Sequence, residues 1–381
     1  MKIVYCTDSV NHLGGIQRVT TVKASALAAI AGNEVYIVTA EGRGKSIFPL
    51  DSRVKTIDLD VRYYDDGWKS KWHLIRSTIT KRREHKKKLR KLLGALAPDV
   101  VISTGTSEKF FLPAIAPKGS TVIREIHSCT RYRLLHARGW FDTLAAHAGD
   151  FLDFKINMKR YDRVYLLTEE DRQGWKNREK VSVMPNPNSF VPDQSTSGKA
   201  KKVIAVGRYT RPKRFDRLLS IWHQVAARFP DWSLEIWGEG EEREKLEKQI
   251  EQLGLKETAF LKGYTSDIQK QLSNASVFAL TSDFEGFGLV IIESMSHGVV
   301  PVSFACPTGP KDIITDGEDG FLVPVDNPDL FAGKLALLMD NEDIRIRMAH
   351  KAVQRADDFT PERIARRWIN EFESLRPTAK D

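Results

Sequence analysis

One segment of the chain, residues 282–295, holds residue types that suit the binding of phosphates and sugars. It carries two carboxylates, Glu285 and Glu293, and two glycines, Gly286 and Gly288. The apolar run before it predicts a strand that ends near Glu285, and the pattern after it predicts a helix, so the glycines lie at a helix N-terminus. Backbone N–H groups there have no partner within the helix and favour a phosphate.

The two carboxylates need a different kind of ligand, because an anion repels another anion. We expect Glu285 to accept hydrogen bonds from the hydroxyls of a sugar, and Glu293, in the first turns of the helix, to accept them from a ribose. Local pattern alone leaves an alternative open. In that alternative Glu293 complements the helix dipole and Glu285 is a solvated turn residue.

A second cluster, residues 206–213, follows another predicted strand with the sequence Val-Gly-Arg-Tyr-Thr-Arg-Pro-Lys. Gly207 permits a sharp turn, and Arg208 and Lys213 place two cations on one loop at the carboxyl end of a strand, where α/β proteins bind ligands. A diphosphate leaving group gains negative charge as a glycosidic bond breaks, and two fixed cations stabilise that charge without a metal. A basic loop that is only solvated is the alternative.

A third candidate is the pair Gly14 and Gly15, between the first predicted strand and a predicted helix. Paired glycines at this place bring backbone amides close to a phosphate or a sugar. The full dinucleotide fingerprint is missing, and no acidic residue ends the second strand. An ordinary tight turn is therefore an equal alternative, and nicotinamide binding is disfavoured.

These loops need a scaffold of alternating strands and helices. In the first half, strands are predicted at residues 2–7, 34–39, 54–59, 100–103, 121–127, 163–168 and 181–184. In the second half, they are predicted at residues 202–206, 233–237, 259–263, 277–281, 300–304 and 321–323. Helical spacing is clearest at residues 16–30, 70–96, 214–229 and 361–375. The repeated rhythm predicts two Rossmann-like α/β domains with parallel sheets, at 1–190 and 199–358, and a C-terminal helix at about 360–381 that packs back on the first.

Composition limits the class of protein. A chain of 381 residues with 41% hydrophobic and 29% charged residues is long enough for two globular domains. The three cysteines, Cys6, Cys129 and Cys306, lack metal-ligand spacing and are expected to be buried, reduced thiols. No apolar stretch has the length of a membrane span and no signal peptide is evident, so we expect a cytoplasmic protein. Residues 1–198 hold 33 Lys and Arg against 21 acidic residues, so this part, at +12, is expected to meet an anionic partner.

Taken together, these motifs resemble glycosyltransferase family 4, whose members are retaining enzymes with the GT-B fold. The glutamate pair in Glu-Gly-Phe-Gly-Leu is the most specific mark, and the Gly-Arg with its later Lys is the second. The similarity continues through Gly238-Glu239-Gly240, Gly263-Tyr264, residues 307–314 and residues 316–323. It implies an α/β, GT-B architecture of two Rossmann-like domains facing across a cleft. The first would bind the acceptor and the second a nucleotide-sugar donor.

The resemblance also implies roles for single residues. Arg208 and Lys213 would hold the diphosphate together with the backbone amides of the Gly286, Phe287, Gly288 and Leu289 turn. Glu285 would bind the donor sugar, Glu293 the ribose, and Tyr264 would lie near the base. His127, at the end of a predicted strand, matches a histidine beside the transferred sugar, although a lone histidine at a strand end is more often structural. Asp312 departs from the glutamate of many relatives, so a contact there is in doubt.

The implied reaction moves a hexose or N-acetylhexosamine from a UDP-sugar, with retention and without a metal or another cofactor. An epimerase or a phosphorylase of the same fold is the nearest alternative, and a basic nucleic-acid-binding protein is an alternative of another class. No aromatic-basic recognition motif supports that last alternative, so no nucleic-acid partner is expected.

A basic run at residues 62–91 suggests where the acceptor comes from. It combines Tyr63, Tyr64, Trp68 and Trp72 with twelve Lys and Arg against three acidic residues. A helix of this kind suits an anionic bilayer, where each nearby cation adds about 1 kcal/mol, and a solvated basic helix is the alternative. We therefore expect a glycan or lipid-diphosphate-linked acceptor and peripheral contact with the inner face of the cell membrane.

Overall fold

The computed structural model describes residues 1–12, 14–41, 46–63, 71–130, 133–134, 139–175, 179–190, 192 and 198–376. Within them the chain forms two compact units. Unit 1 is Met1–Pro187 together with Pro361–Asp381, and unit 2 is Asn188–Thr360.

The strands of unit 1 run, in chain order, as β1 (Lys2–Thr7), β2 (Glu34–Thr39), β3 (Lys55–Asp58), β4 (Val100–Ser103), β5 (Thr121–Glu125), β6 (Arg163–Leu166) and β7 (Val181–Val183). In the described residues they form one parallel sheet with the order β3-β2-β1-β4-β5-β6-β7. The strands of unit 2 are β8 (Lys202–Val206), β9 (Ser233–Trp237), β10 (Ala259–Gly263), β11 (Val277–Leu280), β12 (Val300–Phe304) and β13 (Phe321–Val323). They form a second parallel sheet with the order β10-β9-β8-β11-β12-β13.

Helices connect the strands and cover the sheets. In chain order they are α1 (Gly15–Ala29), α2 (Lys71–Leu96), α3 (Trp140–Asp150), α4 (Glu169–Gln173), α5 (Phe215–Ala226), α6 (Arg243–Gln252), α7 (Ile268–Ser273), α8 (Leu289–Ser296), α9 (Pro310–Ile313), α10 (Pro328–Asp340), α11 (Glu342–Ala356) and α12 (Pro361–Leu375). The predicted fold class, two Rossmann-like α/β domains, is confirmed.

Both faces of the first sheet are buried, as parallel sheets require. Along β1, Ile3 and Tyr5 belong to one apolar cluster, while Val4 and Cys6 belong to the cluster on the other face. Helix α12 covers the first of these faces with a stripe of buried residues at helical spacing, Ile364, Ala365, Trp368 and Phe372. The C-terminal helix is thus part of the core of unit 1.

Several strands end earlier than the sequence predicts. The strand predicted at 277–281 ends at Leu280, and the Thr281 hydroxyl donates a hydrogen bond of 3.1 Å to the carbonyl oxygen of Arg214 in the neighbouring loop. The prediction that Glu285 ends a strand is therefore wrong; it lies in the loop beyond. Likewise β5 ends at Glu125, so His127 follows the strand instead of ending it.

Two sharp glycine turns hold the loops at the carboxyl edge of the second sheet. Gly238 has φ +142°, and a Cβ placed on it would lie 1.9 Å from the carbonyl oxygen of Gly207. Gly240 has φ +157°, and a Cβ there would lie 2.4 Å from the carbonyl oxygen of Tyr209. Only glycine fits such a close approach without displacing the backbone, so the Gly-Glu-Gly motif shapes the loop that follows β8.

Gly238→Ala tests this packing. We expect it to lower the free energy of unfolding by about 2 to 4 kcal/mol, because the methyl group meets rigid backbone and the φ value is strained. The matched control is Gly333→Ala, on helix α10, where a Cβ meets nothing within 4 Å. It should be stabilising by about 0.5 to 1 kcal/mol. Urea denaturation measures both, and equal effects would contradict the packing argument.

Candidate active site

The candidate site of unit 2 lies where the strand order reverses. Strands β8 and β11 are neighbours in the sheet although other strands separate them in sequence. The carboxyl ends of two such strands diverge into separate loops and form a crevice, which is the usual ligand site of an open α/β sheet. The loop after β8 carries Arg208 and Lys213, and the loop after β11 carries Glu285. This is where both predicted motifs meet.

Lys213 and Glu285 are in direct contact. The Nζ atom of Lys213 lies 2.7 Å from Oε1 of Glu285, and the two side chains are 27% and 10% exposed. The same carboxylate oxygen accepts a hydrogen bond of 2.6 Å from the hydroxyl of Ser282. The Glu285 side chain is thereby fixed by one cation and one hydroxyl from the two loops.

The backbone of Glu285 is held as firmly as its side chain. Its N–H donates to the carbonyl oxygen of Pro307 at 3.2 Å, and its own carbonyl oxygen accepts from the hydroxyl of Thr308. Thr308 itself has φ +60°, which is uncommon outside glycine. Such a conformation is kept only where the surrounding contacts determine it.

The loop after β8 forms one turn of 3₁₀ helix, Arg211–Lys213, with proline at a favoured early position. The N–H of Asp283 donates to the carbonyl oxygen of Pro212 at 2.8 Å, which ties this turn to the loop after β11. The stem of Lys213 lies close over Gly207, where a Cβ would come within 3.3 Å of Cε. Gly207 thus makes room for the lysine that reaches Glu285.

Arg208 differs from Lys213 in its surroundings. Its side chain is exposed, and within the described residues no ion pair or hydrogen bond engages its guanidinium group. It therefore presents a cation from the same loop as Lys213 without a protein carboxylate to neutralise it.

The glycine-rich turn leads into helix α8. Gly288 is the N-cap with φ +87°, Phe287 is 3% exposed, and Leu289 is the first residue of the helix. A Cβ on Gly309 would lie 2.2 Å from the carbonyl oxygen of Phe287, so two backbones pass here in close contact. The first N–H groups of the helix therefore lie at the crevice formed by the two loops.

The other predicted residues of unit 2 lie around this centre. Glu293 is the fifth residue of α8 and is only 1% exposed, so it is not a solvated helix-start residue. Tyr264 follows the edge strand β10 and is 58% exposed. Within the described residues, no hydrogen bond or ion pair joins Tyr264 to Lys213 or Glu285. A pocket of about 490 Å³ nearby, lined by Arg211, Arg214, Lys245 and Asp283 among others, contains none of the predicted site residues.

In unit 1, the Gly14-Gly15 turn requires glycine less strictly than the sequence suggests. Gly14 is the N-cap of α1 with φ −169°, an extended conformation open to any residue. A Cβ on Gly15 would meet nothing within 4 Å. Beside this turn, Asp8 joins the ends of β1 and β4 by accepting hydrogen bonds from the N–H groups of Thr106 and Ser107 at 2.9 and 3.1 Å.

His127 belongs to a buried cluster that sequence reasoning missed. Its Nε2 lies 3.1 Å from Oε2 of Glu125, and the same oxygen forms an ion pair with Lys23 of helix α1. All three side chains are 2% to 3% exposed. A signal was present, since Val19, Lys23 and Leu27 are spaced by four residues and Lys23 thus lies on the apolar face of α1.

Burial and charge fix the protonation of this cluster. Burial lowers the pKa of His127, nearby Lys23 lowers it further, and Glu125 only partly opposes them. Burial disfavours the charged form of Glu125, but Lys23 and His127 outweigh it and hold the pKa of Glu125 well below its usual range. His127 is consequently a neutral imidazole at neutral pH. Burial lowers the pKa of Lys23 in the adjoining Lys23–Glu125 pair, and Glu125 opposes that shift.

The comparisons with known proteins identify the class. Residues 189–355 match the family model described as glycosyl transferases group 1. An alpha-1,4-N-acetyl-D-galactosaminyltransferase of Campylobacter jejuni, named for a glycan on PP-undecaprenol, is 29% identical over 375 residues, covering 97% of each chain. The amylovoran biosynthesis glycosyltransferase AmsD of Erwinia amylovora is 27% identical over 370 residues, covering 96% of this chain and 98% of its own.

The fold comparison agrees. The crystal structure of a mutant of S. aureus TarM, in complex with Fondaparinux, alpha-GlcNAc-glycerol and UDP, superposes with a TM-score of 0.74 at 18% identity, covering 97% of this chain and 99% of TarM. The match at residues 189–355, the relatives that align over nearly the whole chain and the GT-B fold together indicate a glycosyltransferase that is similar to those of group 1. The predicted fold is confirmed, and so is the coarser prediction of a glycosyltransferase.

Lys23→Met tests the buried cluster. It leaves the Glu125 carboxylate buried without its cation, so we expect a loss of about 3 to 5 kcal/mol in the free energy of unfolding at neutral pH. The control is Lys201→Met, which removes the exposed Lys201–Asp231 pair and should change the stability far less, because solvent screens that pair.

The pH dependence adds a second readout. The pKa of Glu125 rises in the Lys23→Met variant, because burial no longer has an opposing cation. The variant should therefore regain stability relative to the wild type as the pH falls toward about 4, where a carboxyl group becomes neutral. A difference in stability that stays constant with pH would contradict the assigned pairing.

Proposed function

We propose that this glycosyltransferase is a retaining enzyme of the family 4 type. It transfers a hexose or N-acetylhexosamine from a UDP-sugar to a glycan or lipid-diphosphate-linked acceptor in the synthesis of a bacterial polysaccharide. The name of the Campylobacter jejuni relative, which includes PP-undecaprenol, supports the acceptor class. The UDP in the TarM complex supports the donor class.

The observation that carries the proposal is the Lys213–Glu285 contact of 2.7 Å at the reversal of strand order. An ammonium group has three protons, so Lys213 can keep its bond to Glu285 and still donate to a phosphate. The Ser282 hydroxyl and Lys213 share Oε1 of Glu285, which leaves Oε2 to accept from a sugar hydroxyl. One pair of residues thereby links the diphosphate to the sugar.

Arg208 and the N-terminus of α8 complete the anion site. The guanidinium group is exposed and free to form a bidentate bond to a phosphate. The backbone N–H groups at Gly286 to Leu289 add partial positive charge from the helix dipole. Glu293, buried in the same helix, is the proposed partner of the ribose.

The proposed reaction step needs no protein nucleophile. The acceptor hydroxyl oxygen forms a bond to the anomeric carbon on the face from which the diphosphate departs, and the bond from that carbon to the phosphate oxygen breaks. The acceptor proton passes to the leaving phosphate oxygen. Arg208 and Lys213 stabilise the negative charge that develops on the diphosphate, which is the task a metal ion performs in other transferases.

The role of His127 beside the transferred sugar is part of the proposal. Its neutral imidazole suits a hydrogen bond to a sugar hydroxyl better than it suits binding of the diphosphate. Lys23 and Glu125 act as positioning residues, because they fix the charge of the imidazole and its surroundings.

Replacement of the two cations tests the function. Lys213→Ala and Arg208→Ala should each lower kcat by about 10²- to 10³-fold, the usual effect of removing one preorganised donor to a developing anion. The control is Arg211→Ala, an exposed cation of the same turn, which should leave kcat within about twofold. Initial rates with a panel of UDP-sugars and a lipid-diphosphate acceptor measure the effects.

Two further outcomes separate the alternatives. We expect a chelator to leave the rate of the wild type unchanged, and a rate abolished by chelation would overturn the metal-independent mechanism. We also expect no conversion of the donor when the acceptor is omitted. An epimerase would convert its UDP-sugar under those conditions, and a phosphorylase would require inorganic phosphate.

A further inference from the structure

One helix of unit 1 exposes a continuous apolar surface. Helix α3 runs on without a break into the π-helical segment Phe151–Asn157, since its C-cap, Phe151, is itself helical. Six of the thirteen large apolar side chains that are exposed in the described part of the chain lie on this one element. They are Trp140, Phe141, Leu144, Phe151, Leu152 and Ile156, exposed by 48% to 68%. Scattered apolar residues are normal, but a contiguous set of this size marks an interaction surface.

The helical spacing of these six residues places them on one side of the element, which we call the apolar face. The other side contacts the body of unit 1 mainly through the π-helical segment, while Asp142, Thr143 and His147 of α3 are exposed. Ala146 is buried, and Asp153 is 2.9 Å from Nζ of Lys109 and also pairs with Arg133. The ring of Phe154 packs edge-on against Trp175 with centroids 4.7 Å apart. The inner contacts fix the orientation, so the exposure of the apolar face is built into the fold.

Two exposed cations, Arg82 and Arg160, lie near the apolar face and contact Phe110. The ring of Phe110 is 4.7 Å from the guanidinium carbon of Arg82 and 4.7 Å from Nζ of Lys109, which is largely buried and paired with Asp153. The carbonyl oxygen of Phe110 accepts a hydrogen bond of 3.0 Å from Arg160, which follows the π-helical segment. Phe110 therefore joins the element that carries the apolar face to helix α2.

Helix α2 extends the positive charge away from this junction. Residues 77–96 carry eight Lys and Arg and one acidic residue, Glu84. Its inner side is buried through His85, Leu89 and Leu93, and the exposed side presents Arg82, Arg83, Lys87, Arg90 and Lys91. We call this exposed side the basic face. Tyr64 and Trp68 of the predicted basic run lie outside the described residues, and so does the side chain of Trp72.

We propose that the apolar face and the neighbouring basic face form a docking surface for an anionic lipid bilayer. The element from Trp140 to Ile156 lies in the plane of the interface with its apolar side chains among the acyl chains, and the cations of α2 contact lipid phosphates. Tryptophan and phenylalanine are residue types suited to that depth. The 17 residues span about 25 Å at the rise of an α-helix, a length typical of interfacial helices.

Charge favours a bilayer over a second copy of the chain. A symmetric dimer through this surface would place the same patch of each subunit against the other. The basic face would then meet a surface that also carries net positive charge, whereas an anionic bilayer complements it. The inference goes beyond the proposed chemistry and does not depend on it.

Flotation with lipid vesicles tests the proposal on the full chain. Vesicles of phosphatidylcholine with about one third phosphatidylglycerol should bind the protein, and pure phosphatidylcholine vesicles should bind it at least tenfold more weakly. The double variant Leu144→Ser/Phe151→Ser should reduce binding to the anionic vesicles by roughly tenfold or more. The control Leu330→Ser/Leu337→Ser, which changes exposed leucines of helix α10 in unit 2, should bind as the wild type does.

A local probe distinguishes docking here from docking elsewhere. The tryptophan emission should shift to the blue on vesicle binding, and Trp140→Phe should remove most of that shift while binding persists. The double variant Arg82→Gln/Arg160→Gln tests the role of charge and should weaken binding to anionic vesicles in low salt. These assays contain no nucleotide sugar, so failure of the docking surface and failure of the proposed function are separable.

Three results would overturn the proposed docking surface. If the Leu144→Ser/Phe151→Ser variant binds anionic vesicles as well as the wild type does, the apolar face is not the docking surface. If the wild type does not bind anionic vesicles at all, bilayer docking is excluded. Sedimentation without lipid tests whether the same surface forms a dimer instead. A dimer that this variant dissociates would show that the surface joins two copies of the chain, and the proposal would fall.

Discussion

The bond between Lys213 and Glu285 depends on one feature of the second sheet, the adjacency of β8 and β11. Because these strands are neighbours only through the reversal of strand order, their carboxyl ends bring together loops that are 72 residues apart in sequence. Every other part of the site supports this meeting. Gly207 makes room for the lysine stem, Ser282 holds the carboxylate, and the carbonyl of Pro212 ties one loop to the other.

Charge is handled differently in the two units. At the site of unit 2, the Lys213–Glu285 pair stays partly exposed, and Arg208 is open to solvent, so ligand phosphates can compete for both cations. In unit 1 the Lys23–Glu125 pair is almost fully buried, where replacing a partner is costly. A partly exposed pair suits ligand binding, and a buried pair suits stabilisation of the fold. His127, beside the buried pair, is kept neutral because burial and the charge of Lys23 lower its pKa.

Local sequence pattern predicts most of the elements, since buried parallel strands are short apolar runs and helix α12 carries a clear amphipathic stripe. It also selects Lys213 and Glu285 as residues, but it does not predict their contact, because strand order is a property of the whole sheet. Lys23 shows the same limit. Its place on an apolar helix face is visible in the sequence, yet its partner Glu125 lies 102 residues away.

Strand ends and unusual backbone conformations also escape sequence reasoning. Thr281 has strong β propensity, but the strand ends at the residue before it, and its hydroxyl donates a hydrogen bond to a carbonyl oxygen of the neighbouring loop. Arg214 and Thr308 have positive φ values that their residue types disfavour, and tertiary contacts select them. The apolar face of α3 is the reverse case, because its helical pattern resembles that of a core helix and only the fold leaves it exposed.

In the proposed mechanism, Arg208 and Lys213 bind the diphosphate in place of a metal ion. Calorimetry of UDP and uridine binding in the presence of a chelator isolates the contribution of the phosphates. We expect the wild type to prefer UDP by at least about a hundredfold, because two charged contacts contribute about 1.4 kcal/mol or more each. We expect Arg208→Ala/Lys213→Ala to lose this preference. A preference that survives in the double variant, or one that the wild type loses on chelation, would contradict it.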